Sequence, residues 1–125
     1  MRKILFLTLA EAIEIHNDQI QRYGGKAGIG DLNLLSSAIA MPCASFSGTF
    51  LHAGIYEMAA AYAFHISQNH PFIDGNKRTA LASAMVFLEM NGNGISDNKE
   101  KLYDAVTELA KGKTGKKEFA AVLKK

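Results

Sequence analysis

The sequence predicts an all-α fold, on three observations. Apolar residues recur at helical spacing along most of the chain. Glycine or proline falls between the periodic stretches. No alternating strand pattern runs beyond about four residues, the one candidate being Ile4 to Leu7. With 125 residues, 48% of them hydrophobic, the chain is long enough to bury a core without disulfides. It shows no repeats and no linkers, so a single domain over 1–125 is expected.

The elements follow in order. Thr8 and Glu11 stand at capping-box spacing and open a first helix lined by Leu9, Ile13, Ile15 and Ile20. That helix ends at Gly24-Gly25, where glycine closes a helix with little strain. Asp31 is the N-cap expected for a short helix through Leu34, Leu35, Ala38 and Ile39, ending near Pro42. Ala44 to Thr49 is small and polar, and reads as a loop. A long alanine-rich helix from about His52 to Asn69 suits a buried central position. A second long helix runs from about Asn76 to Met90 and stops at Asn91-Gly92. A further helix spans roughly Lys99 to Lys111, with Ser96 or Asp97 near its cap, and Thr114 caps a last short helix holding Phe119, Val122 and Leu123.

Charge and cysteine content remove several function classes. A net charge of +2 is too small to imply nucleic-acid binding. The late lysines, Lys111, Lys113, Lys116, Lys117, Lys124 and Lys125, read first as a solvated helix face and second as a docking surface for an acidic partner. Cys43 is alone, which excludes an internal disulfide, fits a reducing compartment and suggests a structural thiol. Arg2 and Lys3 before Ile4-Leu5-Phe6-Leu7 mimic a targeting peptide, but the apolar run is too short for a signal core or a membrane span. A cytoplasmic protein with no membrane association is expected.

The chemistry concentrates in His70-Pro71-Phe72-Ile73-Asp74-Gly75-Asn76-Lys77-Arg78-Thr79. Pro71 and Gly75 suit a tight loop that enters the helix from Asn76. A helix N-terminus offers unpaired N–H groups and the positive end of the macrodipole, which favours anions and above all phosphate. Lys77 and Arg78 in that first turn are unfavourable unless an anion joins them, so the pattern lacks a partner. One residue at a time, a duller reading holds: His70 as a helix cap, Asp74 as the N-cap, Arg78 as a surface cation. Together they supply a base, a metal-capable carboxylate and phosphate-binding groups, the parts phosphoryl chemistry uses. An imidazole titrates near about 6.5 and can accept a hydroxyl proton at neutral pH, the role expected of His70. Asp74 suits Mg²⁺, which takes one or two carboxylates plus phosphate oxygens and water. Asn76, Lys77 and Arg78 would hold phosphates, Gly75 would contribute backbone, and Phe72 would anchor the loop. His65 is five residues from His70 and too far around a helix to form a metal pair with it. Gly112-Lys113-Thr114 lacks the upstream glycine of a phosphate loop, and Gly25 to Gly30 follows no strand, so both read as turns.

The segment resembles the signature of the Fic/Doc family, which reads His-Pro-Phe-x-Asp/Glu-Gly-Asn-Gly-Arg in its adenylylating branch. In the Doc (death-on-curing) branch the second glycine becomes lysine, as in Asn76-Lys77-Arg78. His16 to Gly25 (HNDQIQRYGG) is also similar to the first helix and turn of Doc proteins, and the length fits a stand-alone Doc toxin. The resemblance implies a compact helical bundle with the signature loop between two central helices. It implies catalytic His70, Asp74 and Arg78; nucleotide contacts from Phe72, Gly75, Asn76, Lys77 and Arg78; and ATP with Mg²⁺ at Asp74. The implied reaction is transfer of the γ-phosphoryl of ATP to a threonine or serine of elongation factor Tu or another translation protein, arresting translation. The alternatives are AMP transfer and a decayed binding module. Gln68-Asn69 stands where the Doc pattern has an arginine. Ser96…Glu100 and Thr114…Glu118 do not complete the inhibitory motif that many Fic proteins carry, so a separate Phd-like antitoxin is the implied restraint.

Overall fold

The buried run from Met58 to Ala63, with Ile66 and Ser67, places one helix at the centre of the molecule. In this computed structural model, which describes residues 3–124, the helices are α1 (Leu9–Tyr23), α2 (Leu32–Ala40), α3 (Ile55–Asn69), α4 (Asn76–Met90), α5 (Lys99–Ala110) and α6 (Lys116–Lys124). The all-α fold stands as expected. Arg2 and Lys125 lie outside the described residues.

α3 packs most extensively on α4 and α6, and also on α2 and α5. Ala59, Ala60, Ala61 and Ala63 let neighbouring helices approach it closely. Around α3, the side chains of Phe87, Leu88, Leu102, Leu109, Phe119 and Leu123 complete one apolar cluster. Burying a side chain of Leu or Phe size contributes about 1.5–3 kcal/mol.

The one candidate strand, Ile4–Leu7, does not pair with another strand. Its Leu5 N–H donates to the Asn91 Oδ1 (2.9 Å), and the Asn91 Nδ2 donates back to the Leu5 carbonyl (2.9 Å). Leu7 N–H donates to the Tyr62 hydroxyl oxygen at 2.8 Å. A side-chain amide at the end of α4 thus takes the role of a neighbouring strand.

Four local features differ from the sequence reading. Residues 44–49 do not form a plain loop: Ser45–Phe46 and Thr49–Phe50 pair as a small antiparallel hairpin. Ser47 (φ 52°) and Gly48 (φ 80°) form its two-residue connection, with the positive φ values that tight hairpins require. α3 begins at Ile55 rather than His52, because Gly54 takes the cap position with Glu57 in the first turn. α5 is capped by Asn98, whose Oδ1 accepts from Lys101 N–H at 3.1 Å, rather than by Ser96 or Asp97. At α6 Thr114 does not cap; Gly115 N–H donates to the Glu118 Oε1 at 2.7 Å. Among the late lysines, Lys111, Lys113, Lys117 and Lys124 are exposed, whereas Lys116 is half-buried. Its Nζ donates to the His52 Nε2 at 3.2 Å and sits over the Phe64 ring. Cys43 is exposed.

Candidate active site

The loop between α3 and α4 is held on three sides. At its start, His70 turns the chain in the left-handed region (φ 50°, ψ 53°), its N–H closing α3 onto the Ile66 carbonyl at 3.0 Å. A non-glycine residue in that region is uncommon, and such residues gather at functional sites. On one flank, residues 28–31 zip onto the loop. The Pro71 carbonyl accepts from Gly30 N–H (2.7 Å) and Asp31 N–H (3.0 Å), and Ile73 N–H donates to the Gly28 carbonyl (3.1 Å). From within, the Asn76 side chain accepts from Phe72 N–H (3.0 Å) and donates to the Phe72 carbonyl (2.9 Å).

Asp74 emerges from this scaffold exposed. Its Oδ2 accepts from Lys26 N–H at 3.0 Å and its Oδ1 from Gly75 N–H at 2.9 Å. Those two backbone donors, Lys26 first, hold its carboxyl below the ordinary carboxylate range. Gly25 makes the arrangement possible: a Cβ there would lie 2.7 Å from the Asp74 Oδ2, and its φ of +117° disfavours any side chain. Behind the loop the buried His16 ring stacks on Phe72 with centroids 3.9 Å apart, and its Nε2 lies 2.8 Å from the Asp74 carbonyl.

Gly75 is the N-cap of α4 in the left-handed region, and no side chain caps that end. The N–H groups of Asn76, Lys77 and Arg78 have no acceptor among the described residues, and the first bond at this end runs from Thr79 N–H to the Gly75 carbonyl at 3.0 Å. The first turn holds no acidic residue. Arg78 instead lies between two aromatic faces, 4.0 Å from the Tyr23 centroid and 5.0 Å from that of Tyr103, and the Lys77 Nζ lies 5.6 Å from the Tyr103 centroid. Among the described residues the one ion pair is Arg22–Asp18 on the surface of α1.

These groups face a cavity of about 380 Å³ lined by His70, Asp74, Gly75, Asn76, Lys77 and Arg78, with Tyr103, Ser67 and Ala110. An apolar groove of about 330 Å³ between α1, α4 and α5 shares Arg78 and Tyr103 with it. The donor set fits a hard cation that also takes phosphate oxygens: one ionised carboxylate, with no group of three His, Cys, Asp or Glu among the described residues that could enclose a metal. Neither Glu100 nor Glu118 lines the cavity. His65 stands apart from it, its ring edge-on to Phe64 and pushed down to about 4 by burial, Lys116 and His52.

The sequence-predicted residues thus converge, with three corrections of detail. Phe72 is off the cavity wall, 2% exposed and stacked against His16, so it anchors the loop and offers no surface to a ligand. Asn76 spends its side-chain carbonyl and amide on Phe72, leaving its backbone N–H to face a ligand. Asp74 is not the N-cap; Gly75 is. Sequence reasoning missed His16, Tyr23, Tyr103 and the role of Gly25. His16 carried a faint signal, a polar residue one turn from Ala12 and Ile20 on the buried stripe of α1. Tyr103 carried none, since α5 is joined to the site only by tertiary packing.

An all-α bundle presenting an open helix N-terminus behind a His-Pro-Phe loop defines a class. The Fic/DOC family pattern matches residues 6–88, which contain the whole loop, and the chain belongs to that family, on its Doc side. It is 40% identical over 90 residues to Toxin Doc of Mycolicibacterium smegmatis, covering 70% of this chain and 69% of that one. To Protein kinase doc of Escherichia phage P1 it is 33% identical over 115 residues, covering 92% and 90%.

Proposed function

We propose that this chain is a Doc-type toxin that transfers the γ-phosphoryl group of ATP to a threonine or serine hydroxyl of a translation protein, with elongation factor Tu as the acceptor to test first. The observation that carries the reading is the uncapped first turn of α4: three N–H groups without acceptors among the described residues, no acid in that turn, and Lys77 and Arg78 beside them. Such a terminus favours a polyphosphate, and no acceptor for its N–H groups comes from the described residues. The relatives named toxin and protein kinase support the same reading.

In this mechanism the backbone N–H groups and Arg78 grip phosphate oxygens, Arg78 in two-pronged fashion with its guanidinium held between Tyr23 and Tyr103. Lys77 adds a point charge and, standing where the adenylylating branch has glycine, crowds the nucleotide pose that branch uses. Asp74, kept ionised by the Lys26 and Gly75 amides, would hold Mg²⁺, which when bound neutralises charge developing on the transferred group. His70 takes the proton of the acceptor hydroxyl as its oxygen bonds to the γ-phosphorus. The bond from that phosphorus to the bridging oxygen breaks, and ADP leaves. A domain spanning 1–125 and a cytoplasmic location complete the proposal.

Restraint is assigned to a separate Phd-like antitoxin, because no glutamate of this chain reaches the cavity from the two partial inhibitory motifs. A helix of that partner laid in the α1–α4–α5 groove would touch Arg78 and Tyr103, which also wall the cavity.

Incubation with elongation factor Tu and ATP labelled at the γ or the α position tests the reaction. Transfer of γ label alone is expected; transfer of α label would place the chain with the adenylylating enzymes, and no transfer of either would leave a binding module. Induced expression is expected to arrest growth, and His70→Ala to relieve the arrest.

A further inference from the structure

We infer that His16 is a positioning residue of this site: from behind the loop it sets the orientation of the Asp74–Gly75 peptide, and through it the direction in which the Asp74 carboxylate faces. The inference rests on the functional reading above, deepening it by one residue that does not line the cavity.

The geometry runs through a single peptide plane. The His16 Nε2 lies 2.8 Å from the Asp74 carbonyl oxygen. A carbonyl only accepts, so this nitrogen carries a proton. In a trans peptide the C=O and the following N–H point in opposite directions. Drawing the Asp74 carbonyl toward α1 therefore turns the Gly75 N–H the other way, and there it meets the Asp74 Oδ1 at 2.9 Å. The second carboxylate oxygen is held by Lys26 N–H at 3.0 Å. Both oxygens are thus oriented by backbone, one of the two donors being aimed by His16.

Gly75 makes such a clamp necessary. Its left-handed φ of 75° is open to glycine, but so are the φ values a rotated peptide would need. A loop that uses glycine to enter a helix has little intrinsic resistance to rotation of the preceding peptide. His16 supplies that resistance. Its ring is 1% exposed, so water does not compete for the Asp74 carbonyl, and it lies parallel (3°) on Phe72 at 3.9 Å, so it cannot swing away. A residue serving packing alone would place an aliphatic or phenyl group here, since burying an imidazole N–H costs free energy unless a partner receives it.

Two variants of the full chain separate the donor from the packing. His16→Phe keeps an aromatic ring against Phe72 and removes the N–H; His16→Gln removes the ring and keeps an amide donor of similar reach. Each is examined for melting temperature, for exchange of the Gly75 amide by NMR, and for the Mg²⁺ concentration that half-saturates transfer. With His16→Phe folded, Gly75 exchange is expected to quicken about tenfold and the Mg²⁺ requirement to rise about tenfold, the lower range for outer partners of metal ligands. The rate at saturating Mg²⁺ stays within about threefold of wild type if only this binding step is affected. His16→Gln is expected to restore both readouts. Unchanged Gly75 exchange and Mg²⁺ requirement in folded His16→Phe, or equal defects in both variants, would overturn the assignment. Should His16→Phe not fold, His16→Gln decides alone: wild-type exchange and Mg²⁺ requirement support the donor role, and a defect in either sinks it. If the wild type transfers no phosphoryl group the proposed function falls, while the exchange measurement still decides the clamp.

Discussion

The N-termini of α1 and α4 are built to opposite rules. At α1, Glu11 N–H donates to the Thr8 Oγ1 (3.1 Å) and Thr8 N–H to the Glu11 Oε1 (2.8 Å), so each residue closes the other's open donor. At α4 the cap is a glycine, the first turn is cationic, and the first three N–H groups of the helix have no acceptor among the described residues. α2 and α5 follow α1, with Asp31 and Asn98 as caps. α3 also starts on a glycine, Gly54, with no side-chain cap, but it holds Glu57 in its first turn, so α4 is set apart by pairing an open end with the cations Lys77 and Arg78 beside a cavity. A helix start that is finished within the chain contributes stability; one left unfinished beside a cavity is available to a ligand.

The largest effect should come from the unfinished end. His70→Ala is expected to slow phosphoryl transfer by about 10²–10⁴-fold, the usual worth of a general base, with the melting temperature near wild type because the side chain is exposed. An unaltered rate would remove His70 from the chemistry. Thr8→Ala tests the finished end. Loss of the cap should cost about 1 kcal/mol of stability, read by denaturant unfolding, while transfer at saturating ATP stays at the wild-type rate.

Lys77→Glu sharpens the contrast, since one change should move stability and function in opposite directions. An acid in the first turn of α4 interacts favourably with the helix dipole, worth about 0.3–1 kcal/mol. The same acid repels a polyphosphate, so calorimetry with ATP and Mg²⁺ should show much weaker binding. If the variant is neither more stable nor poorer in binding, the open terminus is not an anion site.

The smallest effect is electrostatic. Asp74 is held below its ordinary value by the Lys26 and Gly75 amides, so its folded form releases its proton more readily than its unfolded form. It therefore contributes stability above the unfolded carboxyl range, and that contribution fades as pH falls below about 4. NMR titration should give Asp74 a midpoint below the ordinary carboxylate range. A midpoint within or above that range would mean that the two amides do not hold the carboxylate.

How much was legible depended on how local each feature is. The caps at Thr8 and Asp31 and the span of α4 could be read because a helix start is written within four residues. The hairpin at 45–50 escaped because strands of two residues have no period to detect. The site divides the same way. His70, Asp74, Lys77 and Arg78 stood out because the loop keeps them adjacent in the chain. Phe72 was read correctly as the loop's anchor, though the family resemblance also gave it a nucleotide contact that its burial under His16 rules out. Asn76 was given the wrong surface, since nothing local said that its amide would turn back onto the Phe72 backbone.

By itself the sequence determined the helical elements and the chemical inventory of the loop, for both depend on contacts between near neighbours. Only the tertiary structure decided what surrounds that inventory. Tyr23 from α1 and Tyr103 from α5 flank Arg78, Gly25 makes room for Asp74, and His16 sits beneath its carbonyl. These partners are tens of residues apart in the chain, and helix packing, which obeys the shape of the whole core, sets their proximity.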